Sequence, residues 1–226
     1  MELNDIINLN KMVARDLFLL SNEASGIDSV FSPFLVYPSL RTDKVPFRLS
    51  EQEARMLYIR KLNELGLYHS IETPTVNLYQ QTGTKGLSAR IDLTIFNDKT
   101  NNGSSHKALE RDVNVEFKTT NCNPANIKKD MEKFSKEKVT GNWFHVLKNV
   151  DSRTLNVLFD KFVQSMSFFA FTKPIVFCFA IFDKRFSLLK VYDPSKKEPL
   201  KDFFDFKLSV KNGSVTIVNA NGWEFS

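Results

Sequence analysis

The sequence predicts an α/β fold: a central mixed β-sheet flanked by helices, with an N-terminal helical extension and a C-terminal β-hairpin. Three observations carry this. Segments 88–96 and 113–120 alternate apolar with polar residues, as half-buried strands do. Segments 49–66 and 123–138 hold apolar residues at helical spacing, and helical and extended segments interleave along the chain. At 226 residues the chain suits a single domain, divided into an N-terminal part (1–48), a core (49–193) and a C-terminal extension (194–226).

The elements follow in order. Residues 2–22 read as an amphipathic helix, because acids, amides and Arg15 interrupt what a signal peptide would keep apolar. Pro33, Pro38 and Pro46 then favour an extended segment. A second helix begins at the Ser50-x-x-Glu53 capping box and stops at Gly66, which suits a left-handed cap. Its apolar stripe is Ala54, Leu57, Tyr58, Leu62 and Leu65. Three strands are expected at 68–79, where Pro74 implies an edge position or a bulge, at 88–96 and at 113–120. The polar link 97–112 reads as a loop.

A helix follows from Asn123-Pro124, with Ile127, Met131 and Phe134 on one face, and the next helix is expected at 152–166. Strands at 173–182 and 186–193 flank a turn at Asp183-Lys184, and Asn212-Gly213 between alternating runs signals the final hairpin.

Composition narrows the class. The chain is 42% hydrophobic and 25% charged, with 21 Phe and no uninterrupted apolar run of membrane-spanning length. The Phe-rich stretch 162–182 is broken by Gln164, Lys173 and Pro174 and reads as a buried helix followed by a central strand. Cys122 and Cys178 suggest no disulfide framework, so a reducing cytoplasm fits, and the sequons at Asn102 and Asn212 carry no weight. A net charge of +5 leans toward a polyanionic partner.

The chemistry centres on "VNVEFKTT", residues 113–120. Val113, Val115 and Phe117 share one face, and Asn114, Glu116 and Lys118 share the other. Such a polar face is either solvated or a working surface. The second strand repeats the pattern, with Ile91, Leu93 and Ile95 opposite Arg90, Asp92 and Thr94. If the two strands are neighbours on one core, Asp92 and Glu116 converge with Lys118. Hard oxygen ligands of this kind suit Mg²⁺, and a nearby ammonium can orient water or stabilise charge on phosphorus. Acting as a base would require Lys118 to have a depressed pKa.

An acid-bearing helix, Asp92 in "RIDL", Glu116-Phe117-Lys118 in "VEFK" and a following helix together resemble the PD-(D/E)XK nuclease superfamily, the restriction-endonuclease-like fold, over roughly residues 50–183. Ile91 stands where the motif has proline. The resemblance implies an α-β-β-β-α-β core, catalytic Asp92, Glu116 and Lys118, and Mg²⁺ (or Mn²⁺) held by Asp92, Glu116 and a helix acid. Glu51, beside the apolar stripe, is preferred for that acid over Glu53, which the capping box occupies. The resemblance further implies hydrolysis of phosphodiester bonds, double-stranded DNA as substrate, a restriction or defence role, and a homodimer. The alternative on the same fold is an inactive nucleic-acid-binding or protein-interaction module. Arg90, Lys128 and Lys129 are expected to bind phosphates, the two lysines otherwise forming a solvated face.

Other signals are set aside. His69, His106 and His145 lack metal-ligand spacing, and His145 reads as a satisfied, partly buried side chain. "TGTKG" at 82–86 lacks phosphate-loop spacing and reads as a turn, and no nucleophile elbow is present.

Overall fold

The computed structural model describes residues 1–20, 50–79, 87–99, 108–120, 122–211 and 214–226. The proline-rich segment, the 82–86 turn, both sequons, His106 and the Asn212-Gly213 turn lie outside the described residues.

The molecule is α/β, with a large mixed sheet between two helical layers. The first layer holds α1 (Leu3–Leu19) and α2 (Glu51–Glu64). Ser50 caps α2 by accepting from the Gln52 N–H at 3.3 Å, and Gly66 ends it at φ +66°, a conformation costly for side-chain-bearing residues. Leu65, expected on the buried stripe, lies past the last turn and is 52% exposed.

Strands β1 (His69–Tyr79), β2 (Leu87–Lys99) and β3 (Ala108–Thr119) run antiparallel in sequence. β1 is an edge strand whose register shifts between Pro74 and Leu78, as the proline suggested. The supposed loop 97–112 is partly strand: Asn97 pairs with Glu110 and Lys99 with Ala108. Ladder pairing continues beyond the core because a hairpin arm needs no apolar face to keep its backbone bonds.

After α3 (Pro124–Glu137) comes β4 (Thr140–Leu147), which the sequence pattern did not disclose. From Gly141 to Leu147 every residue is buried, so no alternation marks the strand. It runs parallel to β3 and to β5 (Ile175–Ile181), and α4 (Ser152–Met166) makes the crossover between β4 and β5. β6 (Phe186–Tyr192) pairs antiparallel with β5. Beyond it lie α5 (Leu200–Phe203) and the antiparallel pair β7 (Lys207–Lys211) and β8 (Ser214–Asn219). Finally β9 (Glu224–Phe225) joins the main sheet beside β6, giving the order β1-β2-β3-β4-β5-β6-β9 among the described residues.

Each sheet face has its own core. On one side Ile6, Leu9, Val13 and Leu17 of α1 and Leu57, Tyr58 and Leu62 of α2 cover Leu93, Ile95, Val113, Val115 and Phe117. Within that layer the side chains of Asn10, Tyr58 and Asn142 bond to one another in the core, Tyr58 Oη receiving the Asn142 amide at 2.9 Å and donating to Asn10 at 3.1 Å. On the other side α3 and α4 cover Trp143, Phe177 and Phe179. Phe203, Phe204, Phe206 and Trp223 complete that cluster, with Phe162 and Phe204 stacked at 5.4 Å. Within 194–226, Phe203, Phe204, Phe206, Leu208 and Trp223 are thus part of the core, while β7 and β8 pair as a separate two-stranded sheet.

Glu137, in the last turn of α3, ties that helix to the sheet edge. Its buried carboxylate accepts from the backbone N–H groups of Val76 (2.9 Å) and Asn77 (3.0 Å) at the β1 irregularity and pairs with Arg111 of β3 at 3.2 Å. No helix among the described residues is long and apolar enough to cross a membrane.

Candidate functional site

Leu93 pairs with Val115 and Thr94 with Asn114, so Asp92 and Glu116, one step further along, project from the same side of the sheet. That side is not simply solvated. Asn114 and Thr94 are fully buried and joined by a 3.0 Å hydrogen bond, and Glu116 is 1% exposed. The cover is α3, which the sequence placed after the strands without showing which face it would take.

An open cleft of about 470 Å³ gathers the charged residues at this point. Its wall includes Glu51, Arg90, Asp92, Glu116, Lys118 and Lys129, all singled out from the sequence. Glu51 therefore faces the cleft from the first turn of α2. Glu53 is buried and receives the Ser50 hydroxyl, which leaves it a structural acid. Lys128 points elsewhere: its ammonium lies 3.8 Å from the centre of the Phe168 ring, so the structure brings Lys129 and not Lys128 to the cleft.

Asp92 is oriented by two donors. Its Oδ2 accepts the backbone N–H of Phe117 at 2.8 Å, and its Oδ1 accepts from Arg55 at 3.2 Å. Arg55 also binds Glu72 at 2.9 Å, which ties α2 to β1 across the cleft mouth.

Lys118 stands between the carboxylates. Its Nζ is 2.9 Å from Asp130, 3.0 Å from the Phe117 carbonyl, 3.5 Å from Glu116 and 3.8 Å from Asp92. A third cleft lysine, Lys133, contacts Glu116 Oε1 and lies 2.7 Å from Asp130 and 3.0 Å from the Arg90 carbonyl. The result is a closed ring of alternating charge, Glu116–Lys133–Asp130–Lys118.

The electrostatics follow from burial and this ring. Burial, followed by the charge of Asp130, pushes Glu116 well above the usual carboxylate range, against the pull of Lys133. Burial alone would lower the Lys118 pKa, but Asp130, Glu116 and Asp92 reverse it and hold Lys118 above its ordinary value. Lys118 is thus a cation at neutral pH, and the depressed pKa that a general base would need is not found. Glu51 is raised by burial, which Lys118 partly offsets.

Two neighbours are structural. His145 is fully buried; its Nε2 lies 2.6 Å from the Thr120 carbonyl, and its Nδ1 accepts from Trp143 at 3.4 Å, a pairing that assigns the proton to Nε2. Burial depresses its pKa to about 4. Cys122, also beside the cleft, is pushed up to about 12 by burial and is an inert thiol.

No protein-family model, curated protein or solved structure matches the chain.

Sequence reasoning missed Asp130 and Lys133. At about 100° per residue Asp130 borders the Ile127–Met131–Phe134 stripe of α3, about 40° from Phe134, but Lys133 lies about 100° from its nearest member, so no single helical-wheel signal marks the pair. A larger opening of about 620 Å³, lined by α4 residues such as Asp160 and by Lys201 and Asp202, contains no comparable buried charge cluster among its described residues.

Proposed function

We propose that the protein is a Mg²⁺-dependent nuclease that hydrolyses phosphodiester bonds in DNA, built on a restriction-endonuclease-like core. The observation that carries this reading is the convergence of Asp92 and Glu116 on one ammonium, with Lys118 Nζ 3.8 Å from the first and 3.5 Å from the second. The element order supports it: α2, the antiparallel β1-β2-β3, α3 and the parallel β4 follow the helix–three strands–helix–strand arrangement of that superfamily.

The donor chemistry of these residues suits a hard divalent cation. Glu51, Asp92 and Glu116 offer only oxygen donors, and Glu116 is a buried carboxylate under pressure from a second acid, which added positive charge relieves. These three would hold Mg²⁺, with Mn²⁺ able to substitute. When bound, the ion supplies phosphate polarisation and a more acidic water.

The chain's own groups do the rest. Asp92, locked by the Phe117 N–H, keeps its carboxylate aimed into the cleft. Lys118 donates to the attacking water or to a phosphate oxygen and stabilises the negative charge that develops there. Arg90 and Lys129 in the cleft wall meet flanking phosphates.

The test is cleavage of plasmid DNA with Mg²⁺ or Mn²⁺ by wild type, Glu116→Ala and Lys118→Ala. Each substitution is expected to lower the rate by roughly 100-fold or more. Equal activity in all three proteins would overturn the assignment.

A further inference from the structure

Lys133 has no part in the chemistry just described, yet it is the most tightly held cation of the cleft. Its side chain is 5% exposed, and its three N–H groups meet three acceptors: Glu116 Oε1, Asp130 Oδ1 at 2.7 Å and the Arg90 carbonyl at 3.0 Å. A buried carboxylate without a counter-charge is strongly destabilising, and Lys133 supplies that charge to Glu116 before any ion arrives. The same contact occupies Oε1, one of the two oxygens that Glu116 can offer a cation, while the other, Oε2, faces Lys118 at 3.5 Å.

We propose that Lys133 is a built-in counter-cation that competes with the divalent ion for Glu116, and that Asp130 is the positioning residue that keeps both ammoniums in place during the exchange. This rests on the nuclease reading of the site and adds the control of its loading.

Asp130 is suited to the task. One of its oxygens holds Lys133 and the other holds Lys118 at 2.9 Å, so Lys133 can leave Glu116 without becoming an orphaned charge, and Lys118 need not move. Exchange leaves the cleft more positive than at rest. A phosphodiester neutralises that surplus, so cation and nucleic acid each raise the affinity for the other. The resting protein then takes up the ion weakly until substrate is present.

Calorimetric titration with Mn²⁺, without nucleic acid, compares wild type with Lys133→Gln. The variant is expected to bind about ten-fold more tightly, because the competitor is gone. Equal or weaker binding by the variant, with wild type still binding, overturns the counter-cation role and leaves the nuclease reading standing. No uptake by either protein at millimolar Mn²⁺ overturns both.

Should Lys133→Gln fail to fold, the native protein gives the answer through the ¹⁵Nζ resonance of Lys133. A shift on saturation with Mg²⁺, reversed by chelator, is expected. An unchanged Lys133 resonance at saturating Mg²⁺ overturns the proposal.

Discussion

The backbone N–H of Phe117 donates to the Asp92 carboxylate across 2.8 Å, so the strand that carries Glu116 and Lys118 also sets the orientation of the acid on its neighbour. Asp92→Asn keeps an oxygen that can accept this bond but removes the charge shared with Arg55 and Lys118. The variant is expected to lose roughly 100-fold or more in Mg²⁺-dependent cleavage. Its melting midpoint is expected to fall by only about 2–4 °C, the scale of a partly exposed ion pair in a chain of this size. Comparable activity alongside unchanged folding would remove Asp92 from the site.

Lys118 is held above its ordinary pKa by Asp130, Glu116 and Asp92, against burial. As a base raised in the folded state, it stays protonated through neutral pH, and its stabilising charge is lost only as pH rises through the raised value. Its task is electrostatic. Lys118→Arg, which keeps the charge, is therefore expected to retain about ten-fold more cleavage than Lys118→Met. Equal loss in the two, measured as single-turnover rates, would argue for proton abstraction instead.

His145 titrates in the opposite sense. Burial lowers its pKa to about 4 from an ordinary 6.5, so between those values the unfolded chain binds a proton that the folded one refuses. Its contribution to stability is complete above about pH 6.5 and is lost as pH falls toward 4, amounting to roughly 3 kcal/mol. Urea unfolding at pH 7.5 and 4.5 should show that much less pH dependence in His145→Gln than in wild type. Identical slopes in the two proteins would show that His145 is protonated in the fold.

Gly141 is the second residue of β4, the strand that the sequence concealed. A Cβ there would lie 3.1 Å from the Phe134 ring and 3.2 Å from Ile175 Cγ1, closer than ordinary contact. Gly141→Ala is expected to cost about 1–3 kcal/mol in chemical denaturation, by pushing α3 away from β4. A neutral result would mean that Phe134 yields freely.

The residues legible in the sequence were those whose environment alternates. β2 and β3 each show one apolar face, which exposed Asp92, Glu116 and Lys118 as a set, and the capping box separated Glu53 from Glu51. β4 was invisible because Gly141–Leu147 is buried on both faces, a pattern shared by central strands and buried helices. Asp130 and Lys133 were missed because their meaning depends on which sheet face α3 covers, and no local pattern encodes that. Lys128 and Lys129 could not be distinguished for a similar reason. Adjacent helix positions differ by about 100° in direction. One reaches the Phe168 ring and the other the cleft.

One turn of α3 separates Lys133, on Glu116, from Glu137, whose carboxylate holds the Val76 and Asn77 amides of the edge strand. The helix is thus a lever with one arm in the cleft and the other on the rim of the sheet. A displacement of α3 itself would load the clasp at Val76 and Asn77, whereas a rotation of the Lys133 side chain alone would not. Hydrogen exchange at those two amides therefore distinguishes the two kinds of movement when the cleft is filled, with no substrate turned over.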